Sequence, residues 1–178
     1  TEVRVAIKTL RPALRKNASV CARFDLEGKA TARVHHPHVV KVMTVGAHKG
    51  SPFLVMAFLT GGDLERRLME RGRLSVAEAL AILIPVCSAV QEAHNQGLIH
   101  RDLKPANIVL EHESTGHERP VVVDFGIAHL DDKPVDHIKT GGSAVLGTPA
   151  YMSPEQTRGA REVTALSDQY ALGVILYE

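Results

Sequence analysis

Eight consecutive residues at positions 100–107 place an acid, two cations and an amide at a spacing that suits group transfer. They read His-Arg-Asp-Leu-Lys-Pro-Ala-Asn, and Asp124 follows a short apolar run further along the chain. Transfer of a phosphoryl group needs a carboxylate that orients and deprotonates the attacking hydroxyl, oxygen ligands for magnesium, and a cation beside the transferred group. The candidates for these roles are the base Asp102, the cation Lys104, and the metal ligands Asn107 and Asp124. The spacing therefore points to phosphoryl transfer.

This stretch, with the triplet Asp124-Phe125-Gly126 behind it, resembles the catalytic loop and the metal-binding triplet of the protein kinase family. The resemblance implies binding of ATP and Mg2+ and transfer of phosphate to protein substrates. It also implies an α+β fold of two lobes, in which a small sheet-rich lobe lies over a larger helical lobe. Hydrophobic periodicity on its own predicts only a mixture of helices and strands.

The first strand supplies a lysine of the kind that kinases use to contact the α- and β-phosphates. The sequence Val-Ala-Ile-Lys ends at Lys8, within a run of alternating apolar residues at 3–9 that predicts a half-buried strand. In the family, a glutamate on the following helix holds this lysine. By this resemblance Glu27 is the partner of Lys8.

Glu27 lies in a stretch of helical character at 20–34, which ends before Pro37 because proline disfavours helix in the residue before it. Asp25 is a weaker candidate, since it falls on another face of the helix, and Glu2 shares the strand of the lysine. Taken alone, the lysine and the glutamate could be unrelated surface charges. Their order ahead of an intact catalytic loop favours the pair.

The junction between the lobes is expected at 58–62, and it would hold the adenine of the nucleotide. The residues that the resemblance assigns to this site are the gatekeeper Met56, the main-chain positions Ala57 and Leu59, and the apolar walls Ala6 and Val109. The two walls would serve equally well as plain strand core, and both interpretations can hold together.

The acceptor is expected to be serine or threonine. Lys104, two residues past the base, is the mark of serine/threonine kinases in the family, and Gly-Thr-Pro-Ala-Tyr-Met at 147–152 agrees with this. By resemblance, Thr148 hydrogen-bonds toward Asp102 and Lys104 and shapes a pocket for a short side chain. The longer string Gly-Thr-Pro-Ala-Tyr-Met-Ser-Pro-Glu-Gln resembles the bacterial kinases of eukaryotic type.

An arginine beside the candidate base suggests control by phosphorylation. In the family, the counterpart of Arg101 receives a phosphate on the activation segment, here 124–155. Thr140 is the acceptor favoured by position and Ser143 is second, and a phosphate there would gain charge-assisted hydrogen bonds that order the loop. His129 stands where many similar kinases carry a second cation, so weaker or pH-dependent activation is expected. The alternative is that Thr140 is only a solvated loop residue.

Several residues are expected to support the site rather than to react. Asp168 resembles the helix aspartate that accepts backbone hydrogen bonds from the catalytic loop, and with His100 and Phe125 it would brace the site. Ser-Pro-Glu at 153–155 replaces the usual Ala-Pro-Glu, which is a mild change. Thr31 stands where the family stacks an apolar side chain above Phe125, so the active arrangement is expected to be looser here.

The predicted elements divide the chain near 58–62 into a strand-rich part and a helical part. Before this segment we predict a strand at 3–9, a helix at 20–34, and strands at 39–45 and 53–58. After it we predict a short helix from a cap at Asp63 to Glu70, a long helix from a capping box at Ser75 and Glu78 to Gly97, and strands at 108–110 and 120–123. The expected units are a first-lobe part at 1–59 and a second-lobe part at 60–178.

The composition sets ordinary bounds. With 178 residues, 44% apolar and 23% charged, the chain can bury a core. A net charge of +1 gives no electrostatic reason to expect a nucleic-acid or membrane-surface partner. The longest apolar run, 79–90, is shorter than the roughly 20 residues that span a bilayer, and no signal peptide is visible. A cytoplasmic domain is expected, with membrane anchoring by a part outside this chain left open.

The glycine-rich hairpin that closes over the phosphates in kinases has no counterpart in this sequence, because only seven residues precede Lys8. No Walker-type phosphate loop occurs either. The helices that complete the large lobe in the family also have no counterpart. The chain is therefore expected to be a partial protein kinase domain.

Two functions follow from this sequence. The first is the incomplete catalytic core of an ATP-dependent serine/threonine protein kinase, in which six residues are intact: Lys8, Glu27, Asp102, Lys104, Asn107 and Asp124. The second is a pseudokinase-like scaffold or a nucleotide-binding regulatory domain without turnover. The expected partners are protein substrates with serine or threonine acceptors, and a second copy of the chain for autophosphorylation.

Overall fold

The first third of the chain forms a small lobe of one sheet and one helix. The computed structural model describes residues 3–114, 116–125, 149–158 and 163–178. The sheet is antiparallel with the order β1-β3-β2, where β1 is Val5–Thr9, β2 is Val42–His48 and β3 is Ser51–Ala57. Helix α1 (Ala18–Thr31) packs on β2 and β3. The core of this lobe consists of Leu10, Val20, Phe24 and Leu54.

Helices dominate the second lobe. Its elements are α2 (Leu64–Arg71), α3 (Val76–Asn95), the paired strands β4 (Ile108–His112) and β5 (Glu118–Val122), α4 (Pro154–Arg158) and α5 (Ala165–Tyr177). A 3-10 turn at Pro105–Asn107 leads into β4, and another at Pro149–Tyr151 precedes α4. The core includes Val86, Ile108, Val122 and Ile175. The predicted α+β fold, with a small sheet-rich lobe and a larger helical lobe, is confirmed.

Helices α2 and α3 of the second lobe begin at the predicted capping residues. The Asp63 side chain accepts a hydrogen bond from the backbone amide of Arg66 at 2.8 Å at the start of α2. Ser75 and Glu78 form the predicted capping box of α3. After the last turn of α3, Gly97 takes the left-handed conformation with a φ of 74°, which is the usual way to end a helix.

Helix α1 differs from its predicted bounds at both ends. It begins at Ala18, earlier than 20, because the Asn17 side chain accepts two amides of the first turn at 3.0 and 3.2 Å. It ends at Thr31 and not at 34, because the amides of Arg33 and Val34 bond three residues back, in a 3-10 geometry.

The strand predicted at 39–45 is divided between the two lobes. The Val40 amide donates to the carbonyl of Val122, just at the end of β5, at 2.9 Å, and the Val122 amide donates to the carbonyl of His38 at 2.8 Å. Strand β2 therefore begins only at Val42. The apolar pattern marks extended backbone, but it does not show that the first residues of the run pair with the other lobe.

The turn between β2 and β3 is a two-residue hairpin. Lys49 and Gly50 both have positive φ values, 49° and 77°. Positive φ at both central residues is what a type I′ turn requires, and its twist matches that of the flanking strands. Strand β3 consequently begins at Ser51, two residues earlier than predicted.

Strand β1 is present, and its large apolar side chains lie on its more exposed face. Val3, Val5 and Ile7 are exposed by 71, 37 and 63%, respectively. Ala6 and Lys8 are half-buried. Alternation in a sequence defines two faces of a strand without showing which of them meets the rest of the protein. Here the face that carries Lys8 turns toward the second lobe.

Helix α3 is long and apolar enough, by length and composition alone, to cross a membrane. Its residues Leu83, Val86, Ala89, Val90 and Ala93 lie in the core of the second lobe. Buried core helices share the composition of membrane spans. Packing in the core therefore accounts for this face of α3.

Candidate active site

One buried carboxylate holds the loop between α3 and β4. Asp168 on α5 is 1% exposed, and its oxygens accept the backbone amides of His100 and Arg101, each at 2.8 Å. The same carboxylate lies 2.7 Å from Nε2 of His94. Arg101 has a left-handed backbone with a φ of 68°, a conformation that costs a non-glycine residue about 1–2 kcal/mol. The bonds to Asp168 hold the loop in this conformation, so the predicted role of Asp168 is confirmed.

The ring of His100 is buried and held in one neutral tautomer. Its Nδ1 accepts the amide of Asp102 at 3.3 Å, and its Nε2 lies 2.9 Å from the carbonyl of Val123, to which it must donate. Burial lowers the pKa of His100, while the charge of Asp168 acts in the opposite direction. The ring also stacks at a tilt on Phe125, with 4.7 Å between centroids. His100 thus joins the candidate base to the segment after β5 without carrying a charge.

The carboxylate of Asp102 receives two donors at one oxygen. Its Oδ2 lies 2.8 Å from Nζ of Lys104 and 3.3 Å from Nδ2 of Asn107. The same Asn107 nitrogen donates to the Asp102 carbonyl at 2.7 Å. Oδ1 of Asp102 has no hydrogen-bond partner in the part of the chain that the structure describes. The structure therefore brings these three residues together and leaves one oxygen able to accept a proton.

Asp124 follows β5 on a backbone that is also left-handed, with a φ of 64°. The amide before it, that of Val123, donates to the carbonyl of Asn107 at 3.0 Å and so ties this segment to the loop. Oδ1 of Asp124 lies 2.8 Å from Nζ of Lys8 on β1. An ion pair between two predicted site residues therefore joins the lobes.

The predicted ion pair between Lys8 and Glu27 is not formed in this structure. Lys8 contacts Asp124 instead, and Oε2 of Glu27 is buried without a hydrogen-bond partner among the described residues. Burial raises the pKa of Glu27 to about 7, against the opposing charges of Arg101, Arg23 and Lys8. Near neutral pH the glutamate is therefore protonated in a large share of molecules. Protonation removes the negative charge of Glu27 that would attract Lys8. Lys8 forms its ion pair with Asp124 instead.

The predicted adenine-site residues of the small lobe lie side by side. Ala6 pairs with Met56, and Val5 pairs with Ala57, in the register of β1 and β3. The Ala57 amide donates to the carbonyl of Lys41 at 2.9 Å. Because the Ala57 amide already donates to Lys41, the group of Ala57 left for a hydrogen bond with a purine is its carbonyl.

The segment that links the lobes is fixed at its far end by β4. Val109 forms an isolated antiparallel bridge with Asp63, and the Leu110 amide donates to the carbonyl of Gly62 at 2.8 Å. Leu59 is half-buried between these contacts and Ala57, whose amide is held by the carbonyl of Lys41. The geometry thus gives the linker two fixed ends, while contacts of its residues with a purine stay a prediction.

The predicted phosphorylation and acceptor-pocket residues Thr140, Ser143 and Thr148 lie outside the described residues, as do Gly126 and His129. Their roles stay predictions, as does the phosphate-binding role of Arg101.

Thr31 satisfies its hydroxyl within its own helix. It is 3% exposed, and its Oγ1 donates to the carbonyl of Glu27 at 2.9 Å. The buried hydroxyl of Thr31 therefore has a hydrogen-bond partner.

Two polar residues that hold the loop are not indicated by the sequence motifs. His94 contacts Asp168 from the last turn of α3, and Nε2 of Gln156 donates to the carbonyl of Arg101 at 2.6 Å. His94 lies outside the recognisable motifs and Gln156 ends the string 147–156, but nothing in the spacing of either residue marks it as a partner of the loop.

The oxygens of Asn107 and Asp124 suit a magnesium ion. The amide nitrogen of Asn107 is committed to Asp102, so its Oδ1 is the atom left for a ligand. One oxygen of Asp124 contacts Lys8, and the other has no partner in the described ranges of the chain. Oxygen ligands are what a hard cation such as Mg2+ prefers. The donor set therefore fits the metal that the sequence implies.

A comparison with known families agrees with this geometry. The protein kinase domain matches the chain over residues 1–178. The chain belongs to the protein kinase family. This kinase sequence is 41% identical over 176 residues to the serine/threonine-protein kinase pkn3 of Myxococcus xanthus, and 37% identical over 174 residues to the serine/threonine-protein kinase PkaA of Streptomyces coelicolor. Both matches cover 98% of this chain, but only 32% and 31% of those relatives.

Solved kinase structures share the fold. The kinase domain of PknI from Mycobacterium tuberculosis superposes with a TM-score of 0.75 at 33% identity, over 97% of this chain and 60% of that one. The crystal structure of Rad53 in complex with AMP-PNP gives a TM-score of 0.72 at 26% identity, over 97% of this chain and 40% of that one. The resemblance to bacterial serine/threonine kinases is thereby confirmed, and the kinase chain spans about a third of its curated relatives.

Proposed function

We propose that the protein carrying this kinase sequence transfers the γ-phosphoryl group of ATP to serine or threonine hydroxyls of proteins. The observation that carries the proposal is the Asp102 carboxylate: one oxygen is held by Lys104 and Asn107, and the other has no partner in the described residues. The names of the curated relatives, serine/threonine-protein kinases, support the same acceptor class. A cytoplasmic location and autophosphorylation between two copies belong to the same proposal.

Asp102 is the residue that handles the proton. It orients the acceptor hydroxyl and takes its proton while the hydroxyl oxygen attacks the γ-phosphorus and the bond to the ADP oxygen breaks. Lys104, whose Nζ lies 2.8 Å from the same carboxylate, places a positive charge beside the transferred group. His100 and Asp168 fix the loop, so the base is positioned before the substrate binds.

The remaining site residues bind and orient the nucleotide. Asn107 and Asp124 would hold Mg2+, which when bound neutralises charge on the phosphate oxygens. Lys8 would contact the phosphates, and it already lies 2.8 Å from Asp124. The adenine would contact the walls and main-chain groups of the linker, namely Ala6, Met56, Ala57, Leu59 and Val109. Glu27 would approach Lys8 only in its ionised form.

Incorporation of labelled phosphate from ATP with magnesium tests this function. The full-length protein and this chain are compared, each with and without the substitution Asp102→Asn. We expect label on serine or threonine, and a loss of about 10²- to 10⁴-fold in the variant, as for removal of a general base. Nucleotide affinity should change little, because the base acts in the transition state.

The other outcomes separate the alternatives. If wild-type protein binds nucleotide but takes up no label, the kinase proposal fails and a pseudokinase-like scaffold or regulatory domain takes its place. If Asp102→Asn is as active as wild type, Asp102 is not the base.

A further inference from the structure

The backbone turn that presents Asp102 is held from two sides. On one side, Asp168 accepts the amides of His100 and Arg101, and the His100 ring accepts the amide of Asp102. On the other side, the carbonyl of Arg101 accepts Nε2 of Gln156 at 2.6 Å. The peptide group between Arg101 and Asp102 therefore has a partner at its carbonyl and another at its amide.

Gln156 is itself fixed in orientation by Ser153. Its Oε1 accepts the backbone amide of Ser153 at 3.0 Å and lies 3.2 Å from the Ser153 hydroxyl oxygen. Because a backbone amide can only donate, this side of Gln156 must be the oxygen, and the nitrogen must face the Arg101 carbonyl. Ser153 is fully buried, so the side chain of Gln156 has little freedom to rotate.

The carbonyl that Gln156 holds belongs to a residue in an unfavourable conformation. Arg101 has a φ of 68°, in the left-handed region. Such a backbone persists only when its surroundings over-determine it. If the Arg101 carbonyl lost its donor, this peptide group could rotate and carry the Asp102 carboxylate with it.

We propose that Gln156 is a positioning residue for phosphoryl transfer, which holds the peptide group before Asp102 and so links the segment 153–156 to the base. The inference rests on the proposed role of Asp102. Gln156 touches no reacting atom and acts only through Arg101. Ser153, which stands where the family usually has alanine, adds a hydroxyl contact that helps to fix the side chain of Gln156.

Two substitutions remove the hydrogen bond to Arg101 in different ways. Gln156→Met has a similar length and no hydrogen-bonding group, so it stays neutral. Gln156→Glu keeps an acceptor for Ser153, cannot donate when ionised, and adds a charge. The matched control is Gln91→Glu, the same change at an exposed position on α3, where the side chain contacts only Asn95 among the described residues.

Steady-state kinetics of the full-length protein provide the first readout. Both variants at position 156 should lower kcat by about tenfold to a hundredfold, since a small misplacement of a reacting group has effects of this size. The KM for ATP should stay within about twofold, because the nucleotide contacts are untouched. Gln91→Glu should match wild type in both constants.

Hydrogen exchange of the backbone amides at 100–107, measured by mass spectrometry, provides a second readout that needs no activity. Both variants should exchange about threefold to tenfold faster there, the effect of losing one hydrogen bond. Unchanged exchange overturns the proposal, even if the wild-type protein shows no kinase activity and the proposed function has failed. A kcat loss in Gln156→Glu alone would indicate a charge effect, and an equal rise in the KM for ATP would indicate general damage; either result also overturns it.

Discussion

Glu27 carries a carboxylate in surroundings that oppose its charge. Oε2 is buried without a partner among the described residues, and burial raises the pKa to about 7 from an ordinary value of 4.5. The folded protein therefore holds this proton more tightly than the unfolded chain does. The resulting stabilisation is complete below pH 4.5 and is lost as the pH rises through about 7.

The substitution Glu27→Gln tests this linkage, because glutamine has the same shape and never ionises. At pH 5 the variant and the wild type should have similar free energies of unfolding in urea. At pH 8 the variant should be more stable by on the order of 1 kcal/mol, a value reduced to allow for solvent around a half-buried group. Asp25→Asn, on the same helix, should show no such gain at pH 8. An equal difference between Glu27→Gln and wild type at both pH values would contradict the raised pKa.

The residues that could be predicted from sequence are those whose roles are set locally. Asp102, Lys104 and Asn107 lie in one short loop. The 3-10 turn at Pro105–Asn107 brings them together independently of how the two lobes are arranged. The partner of Lys8 depends on how the two lobes meet and on the burial of Glu27. Neither property follows from the spacing of the residues, so the contact of Lys8 with Asp124 in this structure could not be predicted from the sequence.

Among the larger elements, the linker between β3 and α2 lies so close to β4 that one of its glycines has no room for a side chain. A Cβ at Gly61 would lie 1.6 Å from the carbonyl oxygen of Leu110 and 2.4 Å from its carbon. A Cβ at the next residue, Gly62, would meet only the side chain of Arg66, at 3.8 Å. The two neighbouring glycines therefore form a matched pair.

Gly61→Ala should push the linker away from β4, because the obstacle is backbone and cannot move aside. We expect a loss of about 1–3 kcal/mol in the free energy of unfolding and a clearly weaker nucleotide affinity, since the linker carries the main-chain positions predicted to contact the purine. Gly62→Ala should change both quantities much less. Denaturant unfolding and nucleotide titration of the two variants check this, and equal effects at both positions would show that the close approach to Leu110 is unimportant.

The starts of α2 and α3 were predicted more accurately than the strands, for a physical reason. A helix start is fixed by its own capping residues, as at Asp63 and at Ser75. A strand depends on partners that the local sequence does not specify. The exposed apolar face of β1 and the loss of Val40 from β2 to a contact with Val122 both reflect this dependence.

At the scale of the whole molecule, the loop between α1 and β2 joins the two lobes. His36 contacts α3, with 3.2 Å between Nε2 and Oγ of Ser88, and Nδ1 of His38 lies 2.7 Å from the carbonyl of Pro120 in β5. Arg119 also donates to the carbonyl of Pro37. The relative position of the lobes therefore depends on hydrogen bonds that involve ionisable rings.

His36 makes this contact between the lobes sensitive to acid. Its Nδ1 accepts the amide of His38 at 3.2 Å, so a proton added at Nδ1 would remove that bond. Burial lowers the pKa of His36 from its usual 6.5, the charge of His38 lowers it further, and Glu92 acts in the opposite direction. The unfolded chain thus binds the proton first, and the stabilisation present above pH 6.5 is lost as the pH falls through the lowered pKa.

His36→Asn keeps an oxygen that can accept the amide of His38 but cannot be protonated, so it should remove part of the acid sensitivity. Between pH 7.5 and pH 5 the free energy of unfolding in urea should fall less in the variant than in the wild type. Glu27 acts in the opposite direction over the same range, so the comparison must be made between variant and wild type at each pH. His35→Asn, at the exposed neighbouring position, is the matched control and should follow the wild type. If His36→Asn and His35→Asn lose stability equally on acidification, the contact between the lobes does not depend on the neutral state of His36.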